Sequence, residues 1–95
     1  MIWVSGQVAL SSGGQLFPEP LSTQVSATVA NIGRVLSELG SGFADVVKLL
    51  CFYVNDGFVD EDKFLSMVAA LLPAEAHPAV TAVPVSYLPF EGALV

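Results

Sequence analysis

The sequence predicts an α+β fold in which helices pack over a β-sheet. Three observations support this prediction. Apolar residues recur every three or four positions from Leu21 to Leu39 and again over 64–72, which is the period of a helix. Segments 46–54 and 78–89 are apolar in the continuous or alternating pattern of strands. With a further strand near the start, the predicted order is β, α, β, α, β in one small domain of 95 residues.

The first predicted element is a strand over residues 2–10. The apolar residues on one parity of this segment are Ile2, Val4, Val8 and Leu10. The turn that follows contains Gly13 and Gly14, which adopt a positive φ at low cost. A strand needs a hydrogen-bonded neighbour, so we expect residues 2–10 to have a partner that the sequence itself does not identify.

The first predicted helix covers Leu21 to Leu39, and one face of it is expected to be core. Ser22 or Thr23 can accept hydrogen bonds from the first free amides, and Gly40 suits the left-handed position that ends a helix. The residues of the predicted core stripe are Leu21, Val25, Thr28, Val29, Ile32, Val35, Leu36 and Leu39.

The segment from Val46 to Val54 is apolar on both parities, which predicts a central strand covered on its two faces. The sequence 55–57 is a turn signal. The three acids at 60–62 lie where the electropositive N-terminus of a second helix favours negative charge. That helix has the core stripe Phe64, Leu65, Val68, Leu71 and Leu72, and Pro73 is expected to end it.

The last predicted strand lies within 78–89, where Val83, Val85 and Tyr87 share one parity and form the larger apolar face. Pro84 has no N–H to donate, so this strand is expected at a sheet edge or at a bulge.

The composition predicts self-association. The chain is 54% hydrophobic and 13% charged, with a mean hydropathy of +0.70, whereas soluble domains carry roughly a quarter charged residues. No apolar run approaches the roughly 20 residues of a membrane-spanning helix, because Lys48 interrupts the longest one. We therefore expect a homo-oligomer or a larger parent chain, and no membrane partner.

The charge pattern argues against nucleic acid, since the net charge is −6 and no basic patch is present. A single cysteine, Cys51, excludes an intramolecular disulfide and fits a reducing, cytoplasmic setting. The N-terminus lacks the basic region and long apolar core of a signal peptide. No metal or cofactor motif is found, and the acids at 60–62 suit helix capping better than a metal site.

Three motifs carry a resemblance to a known family. Val4-Ser5-Gly6-Gln7, Asp45-Val46-Val47-Lys48 and Pro78-Ala79-Val80-Thr81 occur in the order and spacing of the YjgF/RidA family, also called endoribonuclease L-PSP. The resemblance implies a chorismate-mutase-like fold with two helices on one face of a β-sheet, assembled as a trimer with sites between subunits. It also implies that residues 1–95 form a single domain lacking the family's opening hairpin and last strand.

The same resemblance has consequences for the expected activity and for the residues expected at the ligand cleft. RidA-like proteins hydrolyse reactive enamines and imines to 2-oxo acids and ammonia, and the family places a carboxylate-binding arginine where this chain has Val80. No catalytic residue is therefore carried over. The residues that the resemblance places near the ligand cleft are Ser5, Gly6, Gln7, Cys51 and Val80. Strand packing for the first three and an inert, buried thiol for Cys51 are the simpler interpretations.

Two functions follow from these observations. The first is a trimeric YjgF/RidA-like domain without the standard deaminase activity, either free-standing or an accessory domain of a larger enzyme such as diphthine-ammonia ligase. The alternative is an active deaminase of 2-iminobutanoate or 2-iminopropanoate, with a 2-imino or 2-oxo acid as its ligand. In that alternative His77, three residues before Val80, could replace the missing cation.

Overall fold

The computed structural model describes residues 1–55 and 60–95, and the predicted turn at 55–57 lies largely outside these residues. Its regular elements are α1 (Leu21–Glu38), β1 (Lys48–Val54), α2 (Glu61–Leu71) and β2 (Ala79–Val85). A short 3-10 turn, Phe43–Asp45, precedes β1. The strands pair in parallel, in a register that runs from Lys48 opposite Ala79 to Val54 opposite Val85. Two helices and a small sheet confirm the predicted α+β class.

Helix α1 confirms the predicted helix, but its N-terminus differs from the prediction. The N-cap residue is Pro20, and no side chain caps the helix, so Ser22 and Thr23 do not act as expected. The helix ends one residue early, and Gly40 has the positive φ of 73° that was predicted. Leu39 is 52% exposed, because it follows the last helical turn and leaves the apolar stripe.

The core lies between the two helices and one face of the sheet. Its buried residues are Leu21, Val25, Val29, Tyr53, Phe64 and Val68. Phe64 is completely buried, and its ring stacks on Tyr53 with centroids 4.4 Å apart and an interplanar angle of 15°. Because Tyr53 belongs to β1 and Phe64 to α2, this aromatic pair joins a strand to a helix.

The sheet is covered on one face only in the described part of the chain, which contradicts the prediction for 46–54. Leu49 and Cys51 pack against the core, whereas Leu50 and Phe52 are 52% and 43% exposed. Side chains alternate along a strand, and paired residues of parallel strands share a face. We call the uncovered side the open face. Its residues are Lys48, Leu50 and Phe52 of β1 with Thr81, Val83 and Val85 of β2.

The predicted strand at 2–10 is not formed. The pairing found there is one antiparallel bridge between Leu10 and Leu16. The side-chain amide of Asn31 donates to the carbonyls of Val8 and Leu10, at 2.8 and 2.9 Å. A strand requires a neighbouring backbone, and the described residues supply none for 1–8; the contacts of Asn31 hold only the C-terminal end of the predicted strand.

Strand β2 confirms the predicted edge position of Pro84, but Tyr87, which was predicted to belong to the strand, lies outside it. The carbonyl of Val85 accepts from Asn55 N and the amide of Ala79 donates to Val47 O, so odd-numbered residues of β2 bond to β1. The nitrogen of Pro84 therefore faces the unpaired edge, as a residue without an N–H must. The strand ends at Val85, and Tyr87 is 80% exposed beyond it.

Gln24 ties both ends of the chain to α1, which the sequence analysis missed. Its amide donates to the carbonyls of Phe17 and Gly92, at 3.1 and 3.0 Å, and its oxygen accepts from Leu94 N at 2.7 Å. The carbonyl of Leu94 in turn accepts from Val54 N at 2.9 Å, on the edge of β1 away from β2. Gln24 is 1% exposed, and both the nitrogen and the oxygen of its buried amide have hydrogen-bond partners.

The predicted role of the acids at 60–62 is confirmed. Asp60 is the N-cap of α2, and its carboxylate accepts from the backbone amide of Lys63 at 2.8 Å. Glu61 and Asp62 occupy the first turn, and the helix ends at Leu71, just before Pro73. None of the helices in residues 1–55 and 60–95 has the length and apolar character that crossing a membrane would require.

Asp60→Ala is expected to lower the free energy of unfolding by about 1 kcal/mol, because an amide of the first turn loses its acceptor. Asp60→Asn is the matched control, since asparagine caps equally well without the charge. Urea denaturation followed by circular dichroism measures both. An equal loss in the two variants would show that charge, not the cap hydrogen bond, is what Asp60 contributes.

Candidate functional site

The predicted Ser5-Gly6-Gln7 segment contributes to a surface pocket of about 410 Å³. Gly6 and Gln7 line it, whereas Ser5 does not; the Ser5 carbonyl accepts a hydrogen bond from the Gln7 side chain at 3.2 Å. The other lining residues are Val8, Leu10, Asn31, Arg34, Val35 and Phe90. The walls are therefore mostly apolar, with three polar side chains.

Arg34 is the charged residue of this pocket, and it was not among the predicted site residues. It is the one arginine in a chain with nine acids. Its guanidinium donates to the side-chain oxygen of Asn31, whose amide nitrogen is fixed by the carbonyls of Val8 and Leu10. The signal available from sequence was the i, i+3 spacing of Asn31 and Arg34, which places both on one side of α1.

Cys51 and Val80 lie together at a different place. Cys51 is opposite Ala82, and Val80 is opposite Leu49, so the four side chains share the face of the sheet that carries the helices. Burial raises the pKa of the Cys51 thiol above its usual value, which disfavours the reactive thiolate. Neither residue lines the pocket that contains Gly6 and Gln7. The structure thus divides the five predicted ligand-cleft residues between two locations.

A carboxylate site at Val80 would need a cation on the same face of the sheet. Lys48 is the nearest cation in register, opposite Ala79, but it lies on the open face, whereas Val80 lies on the helix-covered face. His77 is exposed just before β2. Among residues 1–55 and 60–95, no group of three or more His, Cys, Asp or Glu could hold a metal ion.

Comparison with known proteins gives the family. The model of the family described as Endoribonuclease L-PSP matches residues 1–95. The chain is 33% identical over 86 residues to the 2-iminobutanoate/2-iminopropanoate deaminase of Rattus norvegicus, covering 87% of this chain and 63% of that protein. The deaminase of the same name from Mus musculus is 34% identical over 86 residues, covering 87% and 64%. The chain therefore spans less than two thirds of the length of these relatives.

Solved structures with a similar fold support the same family assignment. A Yersinia pestis protein of the conserved Rid family, YyfB, is 27% identical, with a TM-score of 0.86 over 96% of this chain and 69% of that one. RidA from Psychrobacter sp. PAMC 21119 is 25% identical, with a TM-score of 0.75 over 96% and 71%. Both the sequence matches and the shared fold lead to one conclusion: the chain belongs to the endoribonuclease L-PSP family, that is, the YjgF/RidA family.

Proposed function

We propose that this chain is a YjgF/RidA-family domain that trimerises through the open face of its sheet and lacks the standard imine deaminase activity. The observation that carries the second part is Val80. It occupies the position where the family resemblance implies a carboxylate-binding arginine, and the cation nearest in register, Lys48, is on the opposite face of the sheet.

Valine in place of arginine at position 80 lowers the expected affinity for a carboxylate. A hydrogen bond to a charged group contributes about 1.5–3 kcal/mol, which corresponds to roughly ten- to a hundred-fold in affinity. Arginine also orients a carboxylate through its planar, bidentate fork, which a branched aliphatic side chain cannot do. The Cys51 thiol, on the same face two residues beyond Leu49, cannot supply a positive charge in either of its protonation states. A 2-imino acid would therefore bind weakly and without orientation at this place.

The open face supports the trimer. Parallel sheets are usually covered on both faces, because their strands are apolar on both sides. Here Leu50 and Phe52 are about half exposed, and Val83 and Val85 extend the same apolar surface. Contiguous apolar surface of this kind marks interfaces. Equivalent faces of three copies would cover one another and leave clefts at the subunit boundaries.

The domain could serve a free-standing protein or a larger enzyme. In the second case a separate domain would do the chemistry, as in a diphthine-ammonia ligase with its ATP-binding domain. The sequence of the parent gene distinguishes the two. An ATP-binding segment upstream supports an accessory role, and a free-standing chain of the relatives' length opposes it.

The second candidate is an active deaminase of 2-iminobutanoate or 2-iminopropanoate. One observation favours it: relatives that carry this name are 31–34% identical over most of the chain. This function requires a carboxylate-binding group other than residue 80. His77 and backbone amides are the available candidates.

An ammonia-release assay tests the proposal directly. With enzymatically generated 2-iminopropanoate, we expect wild-type release to remain near the enzyme-free background. Val80→Arg is expected to raise release by roughly ten- to a hundred-fold over wild type, because the charged fork is restored. Val80→Met is the matched control, since it adds length without charge and should change nothing. Wild-type turnover comparable to a positive-control deaminase would reject the proposal in favour of the second candidate.

A further inference from the structure

The edge of β1 that faces away from β2, which we call the outer edge, is only partly covered. A backbone hydrogen bond at this edge joins Val54 N to the carbonyl of Leu94 at 2.9 Å. Backbone groups alternate in direction along a strand, so Lys48, Leu50 and Phe52 present their N–H and C=O groups at the same edge. None of these groups has a hydrogen-bond partner among residues 1–55 and 60–95. The outer edge of β1 is therefore a template on which a further strand can form.

The outer edge of β2 is a poorer template, because prolines lie on it. The nitrogen of Pro84 faces this edge, and Pro78, just before the strand, has the same parity. Proline supplies no N–H, and natural proteins use it to block pairing at strand edges. Strand β1 contains no proline, and Lys48 is its one charged residue. Of the two outer edges, that of β1 offers more donors to a new strand.

Residues 2–6 also lack a pairing partner. They contain the β-branched residues Ile2 and Val4, which favour strands, and no charged side chain. No backbone N–H of these residues donates a hydrogen bond within the described part of the chain. Ile2 and Trp3 are 57% and 86% exposed. The segment is thus accessible, has the composition of a strand and has no neighbouring backbone.

We propose that residues 2–6 of one copy form a strand on the outer edge of β1 in a second copy of this chain. Each element supplies the backbone donors and acceptors that the other lacks. The unpaired length of the edge, 48–52, accommodates a strand of ordinary size. The two elements are not paired with each other within one copy, so the pairing joins two copies. Exchange of an element between identical chains is a low-cost route to self-association.

This pairing does not rest on the proposed function. The trimer interface uses side chains of the open face, whereas the outer edge uses backbone N–H and C=O groups. Pairing through one short edge is weak, so we expect it at about millimolar protein rather than at micromolar concentration. Leu50→Lys changes a side chain of the open face and keeps the N–H of residue 50. The strand pairing should therefore persist in that variant, whether or not the trimer exists.

Hydrogen exchange of the backbone amides, followed by NMR at about millimolar protein, tests the pairing. We expect the amides of Leu50 and Phe52 to exchange at least about tenfold more slowly than those of Val80 and Ala82. Val80 and Ala82 are the matched control, because their N–H groups lie on the outer edge of β2 and also lack a partner. Equal exchange at the two edges would overturn the proposal, since general burial by self-association protects both.

Mixed copies identify the strand that pairs with β1. The sample combines equal amounts of isotope-labelled and unlabelled protein, and isotope-filtered NMR selects contacts between copies. We expect contacts between the backbone protons of residues 2–6 in one copy and those of 48–52 in the other. Contacts of β1 with β1 of the second copy, in place of residues 2–6, would overturn the proposal.

Proline variants test the role of the segment. Successive N–H groups of a strand point to opposite edges, so Trp3→Pro or Val4→Pro must remove a hydrogen bond to β1. We expect at least one of the two to reduce the protection of the Leu50 and Phe52 amides by about tenfold. Val4→Thr is the matched control, because it keeps the N–H and the β-branched shape. Unchanged protection in both proline variants, or an equal loss in Val4→Thr, would reject the pairing.

Discussion

Phe64→Ala is expected to lower the free energy of unfolding by about 3–5 kcal/mol. Phe64 is completely buried, and its ring stacks on Tyr53 at a centroid distance of 4.4 Å. The substitution removes the apolar contacts of the ring, leaves a cavity, and breaks the main aromatic link between α2 and β1. Small domains have a total stability of only about 5–15 kcal/mol, so this variant should be largely unfolded under mild denaturing conditions.

The control for Phe64→Ala is Tyr87→Ala, which also truncates an aromatic residue. Tyr87 is 80% exposed, so its loss should change stability by no more than about 0.5 kcal/mol. Urea denaturation at one fixed protein concentration measures both, because self-association would make stability depend on concentration. Similar losses in the two variants would mean that the core is not centred on Phe64.

Local patterns predicted the helices well, for a physical reason. The stripe that contains Val25 and Val29, the cap at Asp60 and the positive φ of Gly40 depend on neighbours within a few residues. These interactions are the ones that a sequence window contains. The N-cap of α1 is the exception, because the helix already begins at Leu21 and its N-cap residue, Pro20, has no side-chain hydrogen-bond acceptor.

Contacts distant in sequence were predicted less well. Residues 2–10 have the alternation of a strand, but a strand also needs a neighbouring backbone, and alternation does not specify one. Gln24 falls on the apolar stripe three residues after Leu21, which was a signal for a buried amide, yet its partners at Gly92 and Leu94 are about seventy residues away. The pocket at Arg34 likewise combines three separate segments of the chain.

Leu50→Lys is expected to dissociate the proposed trimer. Leu50 lies on the open face, and self-association through this face would bury it. An unpaired ammonium in an apolar interface costs several kcal/mol, and about 3 kcal/mol already weakens association roughly a hundred-fold. At micromolar concentration, light scattering should therefore give a trimeric mass for wild type and a monomeric mass for the variant.

Leu39→Lys separates the effect of the interface from that of a new charge. Leu39 and Leu50 have the same exposed fraction, 52%, so the two variants place the same charge at equally accessible leucines. Leu39 follows the C-terminus of α1, where a cation is favourable, and it is not a residue of the open face. The two variants should differ only if self-association covers the open face. In that case Leu39→Lys should remain trimeric. A stable wild-type monomer would contradict the trimer, and equal masses for the two variants would contradict assembly through the open face.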